Sequence, residues 1–418
     1  MVVAPGPTRL TAYQRRLLVF LSVATFFEGY DFLALGQILP NLRADMGLSE
    51  AEGGRLVAVI GIGTILAYGV VRLADRFGRR AVLTITILGY TLFTFATAFA
   101  QSAYDFAAYQ LVARIFLIGE LSLSMVYAAE DFPADRRGHA IGVIQAASAL
   151  GGITCAATAP LLLATSWDWR AVYLVGVVPL LLLAYARRGL RESGRFADYA
   201  AGGVERRPLG AILSSPYRQR IYQLAVIWGL LFACAQNAVF FWKEFAVAER
   251  GFTDGQVGFT IAVGALASLP PLFFVGRALD AWGRRPAAAV IFLGLAASVV
   301  AAYQVHALWL LTLALAVALF SVSAAFAVLN SFTTELFPTD CRAEAFAWAN
   351  NLLGRSAYVV GPAVVGAAAS TIGWGNAISL TALCPIGALA LILWLLPETK
   401  GRELEETARS SRPGNSPA

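Results

Sequence analysis

The sequence predicts an all-α integral membrane protein with twelve transmembrane helices in two pseudo-symmetric six-helix halves, and three observations predict it. Hydrophobic residues make up 58% of the chain and charged residues only 14%, where soluble domains carry about a quarter charged residues. Apolar runs of roughly 20 residues, enough to cross a hydrocarbon core about 30 Å thick, recur along almost the whole length. Three well-separated segments reappear in a second copy, always 205 residues later.

The spans fall at 15–39, 55–74, 81–100, 103–130, 139–164 and 169–186, then at 219–245, 256–279, 286–305, 307–335, 343–369 and 374–396. The first follows Arg9, Arg15 and Arg16 and so resembles a secretory signal in outline. Its apolar run is too long for one, contains acids, and is followed by no small-residue cleavage pattern. It is therefore read as the first membrane helix. Most of the 32 Lys and Arg residues lie at the termini and in the even-numbered connections. That asymmetry places both termini in the cytoplasm, with the spans in the cell (inner) membrane. The net charge of +6 thus reports topology and contact with anionic lipid, not a nucleic-acid partner.

The organisation follows: an N-terminal half at 1–186, a cytoplasmic linker at 187–218, a C-terminal half at 219–396 and a cytoplasmic tail at 397–418. The linker holds RRGLRESGR and ERRPLG and has room for short surface helices. The tail ends in RSSRPGNSPA, a composition typical of disorder. Cys155, Cys234, Cys341 and Cys384 are scattered with no CxxC, and read as buried thiols. His139 and His306 give no metal-ligand spacing.

The repeat is explicit. LADRFGRR at 73–80 returns as ALDAWGRR at 278–285, pairing Asp75 with Asp280, Gly78 with Gly283, Arg79 with Arg284 and Arg80 with Arg285. AEDFPADRRG at 129–138 returns as TELFPTDCRA at 334–343, pairing Glu130 with Glu335 and Arg137 with Arg342. Trp169 pairs with Trp374. A constant register over three segments marks a duplicated six-helix unit.

These motifs resemble the major facilitator superfamily, and the likeness covers roughly residues 12–405. The repeated D-(R)-x-G-R-R loop is similar to the superfamily's loop between its second and third helices. GYD in the first span, E-x-x-P-x-x-x-R-G after the fourth and PETKGRELEE at 397–406 resemble the branch of sugar porters and metabolite:proton symporters. The resemblance implies alternating access about a solute site near the midplane, between parallel halves. It also implies that Asp75, Arg76, Gly78, Arg79 and Arg80, with Glu130 and Arg137, form a latch holding the halves outward-open. The other reading is surface charge that anchors a tight cytoplasmic turn, with Gly78 allowing the backbone. The second copy, Asp280, Gly283, Arg284, Arg285, Glu335 and Arg342, would act likewise. Two departures occur: the family's first glycine is Val71 in one copy and Gly276 in the other, and Arg76 is matched by Ala281. The C-terminal latch is therefore expected to be the weaker.

Ionisable residues lie well inside the spans: Glu28, Asp31, Arg114, Glu120 and Arg355. Each costs about 2.5–3.5 kcal/mol at a helix centre on insertion scales, so such groups face a wet cavity or one another. Glu28 and Asp31, in FFEGYDFLALG, share one helix face. Two like carboxylates resist simultaneous ionisation, which suits one of them to carrying a proton; otherwise the pair fixes helix packing. In the resembling symporters the Asp of GYD, here Asp31, pairs with an Arg in the fourth helix. Arg114 is the natural partner, displaced one turn from the family position, which falls at Gln110. Glu120, after Gly119, is either a second proton site or a structural partner.

Arg355 has no charged mate in the first half, where Leu150 stands. A single charge in a duplicated scaffold suits an asymmetric solute, and an Arg fork suits a carboxylate; the alternative is an ion pair with Glu28 or Asp31. In the seventh span, CAQNAVFFWKEF offers Gln236 and Asn237 to a polar solute, and Phe240, Phe241 and Trp242 as a stacking gate or an interfacial belt. Tyr30, Gln145, Asn350 and Asn351 are further candidates.

No nucleotide loop is present: Lys243 follows Trp and Lys400 follows Thr, so G-K-[ST] is absent. No cofactor loop, metal site or Ser–His–Asp set is visible, and an enzyme is not expected. The expectation is a monomeric proton symporter for a small organic acid, an aromatic carboxylate in particular. The alternatives are a sugar or polyol symporter, a proton-driven efflux antiporter, and a membrane sensor that binds without transport.

Overall fold

The computed structural model describes residues 10–132, 134–175, 211–338 and 341–400. Among them the only regular structure is helical. The first half contains α1 (Ala12–Met46), α2 (Glu50–Phe77), α3 (Arg79–Thr97), α4 (Ala103–Asp131) and α5 (Ala134–Leu163). The second contains α6 (Arg218–Phe240), α7 (Trp242–Ala248), α8 (Asp254–Trp282), α9 (Arg284–Gln304), α10 (Leu308–Glu335), α11 (Arg342–Phe346), α12 (Ala357–Ile372), α13 (Trp374–Thr381) and α14 (Leu383–Leu395). Eleven of the described helical stretches are long and apolar enough to cross a membrane. They correspond to every expected span except the sixth, whose residues 169–175 are helical and whose remainder lies outside the described residues. Most of the linker, at 187–210, and the tail from 401 also lie outside them.

Capping explains several helix starts. Thr11 and Gln14 exchange hydrogen bonds before α1, as do Ser49 and Glu52 before α2. Ser102 with Asp105, and Thr253 with Gln256, form capping boxes on α4 and α8. Each satisfies backbone donors that lipid could not.

The duplication is also written in the backbone. Gly78 has φ 94° and its mate Gly283 has φ 98°, the left-handed geometry that turns the chain into α3 and α9. Asp168 has φ 45° where its mate Gly373 has φ 81°.

Three expected spans are interrupted. The seventh breaks at Phe241, between α6 and α7. The eleventh passes from α11 through a π-helical stretch at Ala347–Leu353 and a 3-10 turn at Gly354–Ser356 before α12. The twelfth breaks at Ala382, between α13 and α14. Pro385 accounts for the last break, since it has no N–H and its ring crowds the carbonyl four residues earlier, at Thr381. Runs of apolar residues look the same whether the helix is continuous or broken, which is why hydropathy misses these points.

The described residues group into two compact units, one within Met1–Met46 and Val59–Glu205, the other within Gly47–Ala58 and Arg206–Ala418. In the first, α1 and α5 meet backbone to backbone. A Cβ on Gly29 would lie 1.9 Å from the Ser148 carbonyl oxygen, and one on Gly151 would lie 1.8 Å from that of Phe26. Membrane helices rely on such close approaches, because lipid supplies no hydrophobic drive between them. Leu17, Leu21, Leu123, Tyr127 and Ile144 fill the core beside this crossing. In the second unit the start of α2 touches α12 at Gly54 and Gly366, where a Cβ on Gly366 would sit 2.7 Å from Gly54 Cα. Trp228 of α6 stacks with Phe232 at 5.4 Å and Phe326 at 6.1 Å.

Gly29→Ala should lower the melting temperature in detergent, because overpacking against a fixed carbonyl costs about 1–3 kcal/mol or more. Gly142→Ala on α5, with nothing within 4 Å of the new Cβ, should leave it unchanged or raise it. Equal melting temperatures for both variants would show that the crossing yields.

Candidate functional site

In the first unit the sequence-predicted charges converge. Glu28 and Asp31 of α1 are each 4% exposed, as is Arg114 of α4, and Glu120 is 3% exposed. The close approach at Gly29 sets Ser148 beside Glu28, and Ser148 Oγ donates to Glu28 Oε2 at 2.9 Å. Ser124 Oγ donates to Glu120 Oε1 at 2.7 Å, one turn along α4. The Arg114 guanidinium lies over the Phe32 ring, 5.0 Å from its centroid, and its charge acts on Asp31. Gly63 admits the Arg114 stem: a Cβ there would lie 3.0 Å from Arg114 Cβ. Tyr90 of α3 donates its hydroxyl to the Phe27 carbonyl at 3.4 Å, within electrostatic reach of Glu28, Asp31 and Glu120.

Three carboxylates, one guanidinium and two serine donors therefore share one interior region. Such an arrangement can hold a proton or release it to a neighbour. Tyr30 is buried and donates to the Val172 carbonyl at 3.3 Å, whereas Gln145 is exposed.

The second unit carries the polar candidates of the seventh and eleventh spans. Gln236 and Asn237 lie in the last turn of α6, and the buried Gln236 Oε1 and Asn237 Oδ1 have no hydrogen-bond partner among the described residues. Asn237 Nδ2 donates to the Ala233 carbonyl at 2.6 Å, which fixes the amide. The amide rests on Gly361 of α12, where a Cβ would meet Nδ2 at 2.7 Å. Asn350 and Asn351 sit in the π-helical stretch, the first buried and the second half-buried. Arg355 is half-buried in the 3-10 turn, its guanidinium 6.0 Å from the centroid of the Phe232 ring, against which Tyr358 also packs at 5.1 Å. Irregular backbone at membrane depth is tolerated where it is buried in protein or lines a cavity.

Phe241 is fully buried and stacks on Trp374 at 4.6 Å. Trp242 packs on Tyr303 at 5.4 Å. The aromatic run is thus inside the protein, not a lipid-facing belt. Two ionisable residues that hydropathy counting omits are here as well: Lys243 and Glu244 are both 2% exposed. Lys243 Nζ pairs with Asp254 Oδ1 at 2.6 Å, tying α7 to the start of α8. Both residues stand in the FFWKEF stretch and were legible there as charges beside aromatics.

At the loop motifs the described residues cover the C-terminal copy. Arg284 Nη2 pairs with Glu335 Oε1 at 2.9 Å and Arg284 Nη1 with Asp280 Oδ1 at 3.3 Å. Glu398, from PETK, accepts from the backbone N–H of Arg284 at 2.8 Å and Arg285 at 2.9 Å, capping the start of α9. Thr399 Oγ1 donates to Glu335 Oε2, and Lys400 Nζ donates to the Ala281 carbonyl at 2.8 Å. Gly283 keeps room for the carboxylate, since a Cβ would lie 3.0 Å from Glu398 Oε2. Arg285 donates to the Leu393 carbonyl, and Arg342 Nε donates to the Phe337 carbonyl at 3.2 Å. In the N-terminal copy, the side chains of Asp75, Arg76, Arg79, Glu130 and Arg137 lie outside the described residues.

A second pair of duplicated acids escaped the sequence reading. Asp45, at the end of α1, accepts from Trp169 Nε1 at 3.0 Å and Arg170 Nη1 at 3.1 Å. Glu249, after α7, accepts from the Gly375 N–H at 3.1 Å. The two acids are 204 residues apart, one short of the common register of the repeat.

A duplicated multi-pass helical protein with ionisable groups buried inside its units is built as a membrane transporter. The family profile of the Major Facilitator Superfamily matches residues 21–354 and 243–416, and the chain belongs to that superfamily. It is 29% identical to a Cupriavidus pinatubonensis protein described as "Probable 4-methylmuconolactone transporter", over 94% of this chain and 92% of that one. It is 28% identical to a gallate transporter of Pseudomonas putida, over 92% of each chain. Among solved structures, the inward-open xylose transporter of E. coli superposes with a TM-score of 0.73 at 21% identity, covering 94% of this chain and 98% of that one. That likeness concerns the fold.

Glu398 gives a pH-dependent readout. Burial raises its pKa, but hydrogen bonds from the backbone of Arg285, Arg284, Lys400 and Thr399 outweigh burial and hold it below the usual carboxylate value. Its contribution to stability is therefore complete above the unfolded carboxylate range and is lost as pH falls through the folded value. Glu398→Gln should lower the melting temperature at neutral pH and remove part of the wild-type loss on acidification. An unchanged acid limb in the variant would assign that loss to other carboxylates.

Proposed function

We propose that the protein is a proton-coupled symporter that carries a small organic acid, with aromatic carboxylates as the favoured class. The observation that carries this reading is the burial of Glu28 and Asp31 with Arg114 in one unit. Charges that cost this much in a membrane are kept for function. Loading a proton onto the Glu28/Asp31 site releases its hold on Arg114 and permits reorientation, and Glu120 is a second acceptor. Relatives described as carriers of gallate and 4-methylmuconolactone support the substrate class.

Arg355 takes the carboxylate through its fork. Gln236 Oε1 and Asn237 Oδ1, buried without partners among the described residues, accept from a donor elsewhere on the solute. Phe241, Tyr30, Gln145, Asn350 and Asn351 complete the candidate set. The halves at 1–186 and 219–396 act as the moving bodies, joined by the 187–218 linker, in a monomer with both termini in the cytoplasm. The loop residues Asp75 to Arg80 with Glu130 and Arg137, and Asp280 to Arg285 with Glu335 and Arg342, stabilise one of the alternating states.

The test is proteoliposome uptake of labelled aromatic acids, aliphatic acids and sugars, with and without an inward proton gradient. Gradient-dependent acid uptake is expected. Sugar uptake instead would return Arg355 to a structural ion pair. If nothing enters, solutes loaded inside test efflux.

Asp31→Asn should abolish accumulation against a gradient while leaving solute binding within a few-fold. A variant that still concentrates solute would remove Asp31 from coupling. Arg355→Lys should weaken carboxylate binding by at least tenfold, because an ammonium cannot reproduce the bidentate fork. Unchanged affinity would move the carboxylate site elsewhere.

A further inference from the structure

We propose that Phe32 is a positioning residue for proton coupling: its ring receives the Arg114 guanidinium when Asp31 takes up a proton. This role deepens the proton-coupled reading above and rests on it. Arg114 is 4% exposed, and its guanidinium carbon stands 5.0 Å from the centroid of the half-buried Phe32 ring. Among the described residues that guanidinium makes neither a hydrogen bond nor an ion pair, although its charge acts on Asp31. Five N–H donors in a protein interior are thus held by a ring face. Asp31, also 4% exposed, likewise has no hydrogen bond or ion pair among the described residues. The cation and the acid are neighbours that do not touch.

The packing fixes the stem of Arg114 and leaves its head two positions. Gly63 of α2 lies so close that a Cβ there would stand 3.0 Å from Arg114 Cβ and 3.3 Å from Cγ. One turn earlier on α4, Gln110 Nε2 donates to Thr97 Oγ1 at the end of α3 at 3.1 Å, which holds α4 from another side. Asp31 and Phe32 are consecutive, so their side chains leave α1 about 100° apart and offer adjacent places to one guanidinium. An ionised carboxylate takes the Arg fork bidentately, and a ring face attracts it more weakly and with less direction. Ionised Asp31 therefore holds Arg114, and neutral Asp31 gives it up to the ring. Without the ring, proton uptake would strand a buried cation, which opposes the step. Phe32 lowers that cost, so a side chain that never titrates sets how readily Asp31 accepts its proton.

The other titratable groups around the pair are Glu28 and Tyr30 on α1, Tyr90 on α3, Glu120 on α4, Cys155 on α5, and Tyr173 in the helical stretch 169–175. Glu28 and Glu120 accept from Ser148 and Ser124, and Tyr90 and Tyr30 donate to the carbonyls of Phe27 and Val172. Substitution at Phe32 leaves all of these groups in place.

The experiment is an infrared pH titration of the full chain in proteoliposomes without solute. The Asp31 carboxyl band is identified by its loss in Asp31→Asn. Phe32→Leu keeps an apolar side chain but removes the ring face, and should move the midpoint of that band to lower pH by about one unit. Phe32→Trp supplies the strongest cation–π face and should move it to higher pH. Phe32→Met repeats the first arm should the Leu variant fold poorly. On an Arg114→Gln background none of these substitutions should move the midpoint. Packing alone does not produce opposite shifts that vanish without Arg114. Equal midpoints across the Phe32 series would overturn the proposal, as would shifts of one sign, shifts that persist without Arg114, or no band lost in Asp31→Asn. Gradient-driven uptake by a chain whose midpoints stay fixed would remove the role of Phe32 and leave symport standing. Shifted midpoints in a chain without gradient-driven uptake would overturn the coupling role together with the symport reading.

Discussion

Hydrocarbon offers no partner to a polar group, and the whole structure answers to that constraint. Backbone groups are satisfied within helices, and the helix starts at Thr11, Ser49, Ser102 and Thr253 are closed by their own side chains. Ionisable groups are drawn inward until they find one another. Glu28, Asp31, Arg114 and Glu120 come from α1 and α4 yet lie in one region, because no single helix could hold such charges alone. The same constraint that makes these charges costly keeps them together.

Gathering those charges requires helices to approach closely, and glycine allows it. Gly29 and Gly151 bring α1 onto α5, which places Ser148 against Glu28. Gly63 admits the stem of Arg114. In the second unit Gly361 lies against Asn237 and Gly354 against Trp228, so the irregular eleventh span touches α6 on both sides of Arg355. Packing and chemistry are therefore not separable here: the small residues that carry the crossings also set the distances within each polar cluster.

Much of this was legible in the sequence. The spans, the duplication and the buried charges follow from hydropathy and register, because each depends on residue type alone. Helix breaks were not legible at Phe241 or Asn350, since an apolar run reads the same across a break, whereas the one at Ala382 is marked in the sequence by Pro385. The pairing of Lys243 with Asp254 was not legible, because the two residues stand on either side of a turn. The aromatic run beside it was open between gate and belt, and only packing on Trp374 and Tyr303 turns it inward. Asp45 and Glu249 were missed because a one-residue shift between the copies takes them out of the common register. The contacts that Glu398 and Thr399 of PETK make with the C-terminal loop were not legible, since they join segments more than 60 residues apart.

The Glu398 cap also has a consequence for biosynthesis. The N–H of Arg284 receives its carboxylate from a residue 114 positions later. At translation speeds of about 5–20 residues per second, α9 leaves the ribosome roughly ten seconds before its cap exists. During that interval the helix start has, among the described residues, its own turn, Asp280 and, partway through, Glu335 to hold it. The face of the second half that carries this loop is thus completed last. A chain stopped short of residue 398 would carry the spans of this half with that face unfinished.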